Sequence, residues 1–385
     1  TLMVAGAYSA VRLLAAWRVV RPLAGDGAED GPTARIVKLA GWLLAMAGLG
    51  IALGAVQLAP LLELLPLNFR DGSATLAEVR GWAWPSRHVL TFPLPNIFGN
   101  PSHHRWFDLW DLQWRLAQTN ALGEVNHTIF WGIKNYVEGG NYLGIVTWVL
   151  ALLGFSGATL AAWRNRRRMP DSGDVLAAPA DSAWALRPVH AWFFGGLALL
   201  ALLFAFGTPL YAILYYGVPG WNQLHSPFRW VFPFTLSMAV LAAGGLDGLL
   251  RMAQSARDSD QQSTISLRRV TCLLALLTAL AGLTALLLVL SSYFMPERFI
   301  GLGQRLVDGS DLAQMAFADG RMFWSYQAGN LMHFGAVALV GGLLLWRLAR
   351  SETAPGAPPH RFASPSALAL ALVTLTLLDL WLAHG

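Results

Sequence analysis

The chain alternates long, nearly unbroken apolar runs with polar connections of two kinds, short and basic or long and mixed. The runs fall at about Thr1–Trp17, Leu39–Ala59, Tyr142–Trp163, His190–Phe206, Trp230–Leu250, Val270–Ser292, Ala328–Trp346 and Ala367–Ala383. Each is about 17 to 25 residues long, which an α-helix needs to cross a hydrocarbon core about 30 Å thick. The apolar residues are blocked rather than periodic, as lipid-solvated helices require. The expected fold is all-α, a polytopic transmembrane helical bundle of about eight spans forming a single transmembrane domain over residues 1–385. Thr1 already lies inside the first run and Gly385 follows the last, so both ends read as cut and the chain as a piece of a longer protein. Thr1–Trp17 has neither a charged leader nor a small-residue cleavage site behind it, so it does not read as a signal peptide.

Composition agrees. Only 13% of the residues are charged and 55% are hydrophobic, against about 25% charged in an ordinary soluble domain. A formal charge of +5 raises nucleic acid as a partner, but the placement of charge decides against it. Arg18, Arg21, Arg35 and Lys38 fill the first short connection, and Arg164, Arg166, Arg167, Arg168 and Arg187 the second. Arg251, Arg257, Arg268 and Arg269 fill the third, and Arg347, Arg350 and Arg361 the fourth. These connections share one face, and the clustering of Lys and Arg in short loops marks that face as cytoplasmic. The basicity is a topology signal.

The other face then carries three longer segments, at about Leu61–Asn141, Thr208–Arg229 and Tyr293–Tyr326. A connection of some eighty residues is far above the usual length, so it is expected to be functional and partly structured. The Ala- and Pro-rich stretch "MPDSGDVLAAPADSA" (Met169–Ala183) on the basic face reads instead as a disordered connector. Chemistry is therefore expected on the outer face. No Walker loop, dinucleotide fingerprint, His-Glu-x-x-His motif or cysteine cluster is present, and a lone Cys272 cannot form an intramolecular disulfide.

Three stretches resemble one family, the YfhO-like bacterial membrane proteins of the GT-C glycosyltransferase superfamily. "AVQLAPLLELL" (Ala55–Leu65) is similar to that family's Gln-x-x-Pro at the outer end of a helix. "YVEGGNYLGIVTWVLALLGF" (Tyr136–Phe155) is similar to its Tyr-x-Gly lead into the next helix. "FAFGTPLYAILYYGVPGWNQLHSPFRWVFPFTLSMAVLAAGGLDGLL" (Phe204–Leu250) resembles its Tyr-rich short helix, Pro-Gly, Arg-x-Pro-x-Arg element and closing Ala-Gly-x-Gly-Leu-Asp. At that element this chain has His225 and Arg229 about Pro227, so only the second arginine is kept.

The resemblance implies a multi-pass protein of a bacterial cell membrane with its long loop extracytoplasmic. It implies transfer of a sugar from a polyprenyl-phosphate carrier to a cell-surface polymer or lipid acceptor. The partners are then membrane lipids, the polyprenyl-phosphate-sugar donor and the acceptor, with no nucleic acid and no cofactor. The catalytic acidic residue of such enzymes lies in a first outer loop, which would fall upstream of Thr1. The alternatives are a non-catalytic lipid-handling or transport protein, and a structural membrane subunit whose outer loop binds a partner.

Candidate donor-phosphate and substrate residues are Arg229, His225, Arg70, Gln57 and Glu138. An arginine on the outer face has no topological purpose, and its guanidinium can grip a phosphate in bidentate fashion. The plain alternative is an interfacial anchor flanked by the aromatic Phe228 and Trp230. His225 titrates near physiological pH and can donate to a phosphate or move a proton, or it is an interfacial polar residue. Gln57 lies in apolar sequence, so it must hydrogen-bond within the bundle or line a polar cavity.

In the long loop Trp82, Trp84, Trp106, Trp110 and Trp114 stand beside Arg80, Arg87, Arg105 and Arg115. They suit sugar stacking and phosphate contact, and equally suit the headgroup zone, where Trp and Arg collect. "HVLTFPLPNIFG" (His88–Gly99) reads as a short amphipathic piece lying on the membrane. His103, His104, Asp108 and Asp111 invite a divalent-metal reading, but their spacing matches no defined zinc or calcium pattern, and no metal ligand is assigned.

Overall fold

The computed structural model describes residues 2–20, 32–64, 74–167, 186–218, 221–223, 226–254, 261–351 and 364–384. Its helices are α1 (Leu2–Val20), α2 (Pro32–Leu64), α3 (Leu76–Gly81), α4 (Tyr136–Gly139), α5 (Ile145–Arg167), α6 (Pro188–Ala205) and α7 (Ala212–Gly217). They continue as α8 (Val231–Gln254), α9 (Gln261–Phe294), α10 (Pro296–Asp308), α11 (Asp311–Ala316), α12 (Gly320–Arg350) and α13 (Pro365–His384). Among the described residues, seven helices are long and apolar enough to cross a membrane, as a multi-pass helical protein requires. They correspond to the second through eighth apolar runs of the sequence. The first run is also helical, but its apolar part, Met3–Ala15, is shorter than a span and carries Arg12.

The chain divides into two compact units. One holds Thr1–Gly81, Met169–Ala180 and Leu210–His225, and in it α2 packs on α1. The other holds Trp82–Arg168, Asp181–Pro209 and Ser226–Gly385, with the remaining long helices and the ordered part of the long loop. The Met169–Ala183 connector lies outside the described residues.

In the second unit α9 turns its small residues inward and its large ones outward. On α9 the residues turned inward are Ala275, Ala279, Ala285 and Val289, while Leu276, Leu277, Leu280, Leu283, Leu287 and Leu290 are exposed. Lipid tails are as apolar as leucine, so burying leucine gains little there. Close van der Waals approach through small residues brings helices together instead. The α5–α8 contact shows how close. A Cβ on Gly154 would lie 2.0 Å from the Leu241 carbonyl oxygen, and one on Gly245 would lie 2.0 Å from that of Leu150. The "AAGG" stretch therefore packs as its small side chains imply.

The long loop is a folded cap made of short strands: β1 (Gly99–Asn100), β2 (Arg105–Asp108), β3 (Gln113–Leu116) and β4 (Ile129–Phe130). β2 and β3 form an antiparallel hairpin in which Arg105 faces Leu116 and Asp108 faces Gln113. β1 pairs antiparallel with β4. The hairpin turn places Leu112 at φ 52°, in the left-handed region.

The segment His88–Gly99, expected as an amphipathic surface piece, is largely packed into the protein, with Val89 and Leu90 left exposed. Ser86–Thr91 forms a 3₁₀ turn, and His88, Thr91, Phe92, Asn96 and Phe98 are buried. It is drawn in because the Trp84 Nε1–H and the His88 Nδ1–H both donate to the Gly139 carbonyl, at 3.0 and 2.5 Å. Trp84, Phe92, Trp148 and Phe234 then form one aromatic cluster that joins the cap to α5 and α8.

Gly154→Leu is expected to lower the thermal unfolding midpoint in detergent sharply, since overpacking of this kind costs about 1–3 kcal/mol or more. Gly196→Leu, on an exposed position of α6 with no atom within 4 Å of the added Cβ, is expected to leave the midpoint unchanged. Equal midpoints for the two variants would contradict the close α5–α8 contact.

Candidate functional site

The cap is tied to α12 by one buried carboxylate. Asp108 is fully buried at the end of β2. Arg321, in the first turn of α12, donates to it from Nε at 3.0 Å and from Nη2 at 3.0 Å. Arg115 on β3 forms an ion pair with it, Nε lying 2.8 Å from Oδ2. The backbone N–H groups of Trp110 and Asp111 donate to Oδ1 at 3.2 and 3.4 Å and close the hairpin turn. Arg321 also reaches Asp111 at 2.9 Å, and Arg115 pairs with Asp111 as well. The Arg321 hydrogen bond, joined by Arg115, holds the Asp111 carboxyl below the usual carboxylate range. Trp110 lies under the Arg321 guanidinium at 5.7 Å and donates from Nε1 to the Ser292 carbonyl at 3.1 Å.

Beside this clamp, the hairpin and α12 enclose a cavity of about 440 Å³. Ser102, His103, His104, Arg105, Trp106, Phe107 and Trp114 line it from the cap, and Ser325, Tyr326, Gly329 and Asn330 from α12. Gly329 opens the floor, because a Cβ there would meet nothing within 4 Å. Asn330 is fixed by its Nδ2 donating to the Asn96 carbonyl and to Gln327 Oε1, each at 3.0 Å, which leaves its Oδ1 as an acceptor. Gln327 in turn donates to the Ile97 carbonyl at 2.8 Å.

His103 Nδ1 lies 2.8 Å from the Tyr326 hydroxyl. The two share a hydrogen bond whose donor is set by the ring's tautomer, and it gives the buried hydroxyl its partner. Burial, and next the neighbouring His104, hold the His103 pKa below its usual value, so the ring is neutral at pH 7.

Arg105 is exposed and makes no ion pair among the described residues. Trp114 is 68% exposed at the rim and sits edge-on to Phe107 at 5.6 Å. No carboxylate lines the cavity. Apolar and aromatic surface dominates, with a few polar groups set into it, a lining that can stack on a sugar ring and supplies no carboxylate base.

A second polar node ties α13 to α5 and α12. The buried Asp379 accepts from the Tyr142 hydroxyl at 2.6 Å, from the Ile145 backbone N–H at 3.1 Å and from His333 Nε2 at 2.7 Å. Burial and the adjoining carboxylate push the Tyr142 phenol up.

The residues singled out by sequence do not gather here. Arg70 and His225 lie outside the described residues. Arg229 is exposed in the 3₁₀ turn Pro227–Trp230, held rigid by buried Pro227 and by Trp230 packing edge-on to Phe204 at 4.8 Å. Gln57 is exposed on α2, with no side-chain hydrogen bond among the described residues. Glu138 sits half-buried in α4, where its backbone N–H is capped by Asn135 Oδ1 at 2.8 Å. None of these three lines the cavity.

The loop tryptophans divide: Trp106 and Trp114 line the cavity, Trp110 serves the clamp, Trp84 is core and Trp82 is exposed. The His-His-Asp-Asp group is dispersed as well. His104 bonds the His127 carbonyl at 2.6 Å, and both aspartates are taken by arginine. Among the described residues no three His, Cys, Asp or Glu side chains are grouped to hold a metal.

Sequence reasoning missed Arg321, Ser325, Tyr326 and Asn330. The signal for Arg321, Ser325 and Tyr326 was their helical spacing just before the seventh apolar run, while Asn330 is a polar residue inside that run. The chain matches no protein-family model, no curated protein and no solved structure.

Asp108→Asn is expected to destabilise the cap by about 3–5 kcal/mol, because two arginines lose their buried counter-charge. Limited proteolysis of the Trp82–Asn141 region would register it. His88 and His103 both have pKa values held below normal, chiefly by burial. The unfolded chain therefore binds more protons below about pH 6.5, and stability is lost as pH falls through that value toward the folded pKa. Unfolding midpoints at pH 7.5 and pH 5 check this, and His103→Gln should shrink the difference.

Proposed function

We propose that the cavity binds the saccharide or phosphate portion of a lipid-linked sugar, and that the protein moves that sugar to a cell-surface acceptor. The observation that carries the reading is the lining itself. It combines the exposed Trp114 face, the Arg105 side chain, the His103 ring and the Asn330 amide oxygen, with no acid to repel a phosphate. Stacking on the apolar face of a sugar supplies area, and a few placed polar groups fix its orientation.

Location supports a lipid-borne ligand. The α12 wall lies within the first three turns of a helix long enough to span a membrane. A polar head held there leaves a polyprenyl tail free to run down the helix flank. The far end of α12 bears Arg347 and Arg350, so the positive-inside rule puts the cavity on the extracytoplasmic side. The similarity of Ala55–Leu65, Tyr136–Phe155 and Phe204–Leu250 to YfhO-like proteins points the same way, toward a bacterial cell membrane and a polyprenyl-phosphate-dependent glycosyltransferase. In that chemistry an acidic group activates the acceptor hydroxyl while cationic groups hold the departing phosphate. Arg105 takes the second role in the cavity. Arg229 and His225 remain candidates for it elsewhere on the outer face.

The carboxylate-free lining also favours a second reading, a non-catalytic protein that binds and hands on the lipid-linked sugar. Binding of a radiolabelled polyprenyl-phosphate hexose to the purified protein tests both. Arg105→Ala combined with Trp114→Ala is expected to weaken binding at least tenfold, about 1.4 kcal/mol. Unchanged affinity would refute the cavity assignment. Tight binding without any transfer to acceptor would favour the carrier over the enzyme.

A further inference from the structure

α10 is the most clearly two-faced helix among the described residues, and the proposed sugar chemistry makes no use of it. It follows the long apolar helix α9 after only Met295, and it is short, "PERFIGLGQRLVD". One side packs on α12: Gly303 and Val307 are buried, and a Cβ on Gly303 would lie 2.4 Å from the Gly320 carbonyl oxygen. Phe299 stacks at 4.6 Å on Trp324 of α12. The adjoining side is apolar yet uncovered, with Leu302 47% and Leu306 53% exposed. It runs on into the exposed Phe294 and Met295 at the end of α9, and through them into the exposed leucine row of that helix.

The charges are sorted about this stripe. At about 100° per residue, Arg298 and Arg305 fall within about 60° of Leu302, on its open flank. Glu297, Gln304 and Asp308 fall about 120–160° away. Both arginines are exposed, and neither makes an ion pair among the described residues. Gln304 is instead occupied within the protein, donating to Asp308 at 2.8 Å and accepting from the Gly320 N–H at 2.8 Å. A helix with a bare leucine stripe, cations on its edge and acids turned away has the form of one that lies in the interfacial plane. Such arginines lay their stems along the apolar layer and keep their heads at phosphate level.

The geometry points to α10 as an interfacial helix, with Leu302 and Leu306 sunk into the acyl boundary and Arg298 and Arg305 binding the phosphates of anionic phospholipids. Continuity with the lipid-facing row of α9 identifies the occupant as the bilayer, and the unpaired arginines select its anionic lipids. The assignment is independent of what the cavity binds.

The test uses the full chain carrying Cys272→Ser, reconstituted in nanodiscs of phosphatidylcholine and phosphatidylglycerol. Nitroxide labels are attached in turn to Leu302→Cys, Leu306→Cys, Glu297→Cys and Gln304→Cys. Labels at 302 and 306 are expected to collide more with oxygen than with a water-soluble nickel chelate, and labels at 297 and 304 the reverse. Nickel-favoured collisions at 302 and 306 would overturn the interfacial placement. For the headgroups, phosphatidylglycerol added to detergent-solubilised protein is expected to raise the unfolding midpoint. That rise should fall at least threefold in the Arg298→Gln, Arg305→Gln variant, and inorganic phosphate should produce none. Equal rises in both proteins, or a rise with inorganic phosphate alone, would overturn the lipid-phosphate assignment.

Discussion

A single fully buried carboxylate, Asp108, sets the geometry of the cap. Two arginines and two backbone N–H groups converge on it, and one of those arginines belongs to α12, 213 residues away in sequence. Exchanging such an ion network for well-packed apolar groups often costs nothing, so its worth lies less in net stability than in specificity. A charge without water accepts only the arrangement that satisfies it. β2, β3 and the start of α12 are thereby held at one register, and the cavity is the space that this register leaves beside it.

The two halves of the molecule obey different packing rules. Along α9 small residues turn inward and large ones outward, and α5 meets α8 closely at Gly154 and Gly245, since lipid lowers the reward for burying leucine. In the cap the arrangement reverses, with Trp84, Phe92, Trp106 and Phe98 inside. The cavity forms at the boundary between the regimes, where a helix built for lipid begins and a fold built for water ends.

This boundary also explains what could be read from sequence. The spans were legible because hydrophobic length is a local property. The cap was legible only as a long, partly structured loop. Its strands are two to four residues long, too short to carry a period, and the β2–β3 hairpin is held by a residue as distant as Arg321. His88–Gly99 reads as an amphipathic piece, while one partner that packs it into the protein is a carbonyl some fifty residues on. Ser325 and Tyr326 on α12 were hidden because that helix begins eight residues before its apolar run.

The Asp379 node has a consequence for the order in which the bundle is built. The start of α5 leaves Tyr142 and the Ile145 N–H directed at an acceptor supplied 237 and 234 residues later. Until α13 arrives, both donors and His333 have no carboxylate to satisfy them, in surroundings where water is scarce. Membrane insertion of the earlier helices can proceed in chain order, but the final lock cannot. The nascent bundle stays loose at that junction through synthesis of all the intervening helices, an interval in which assembly factors and lipids have their chance to act.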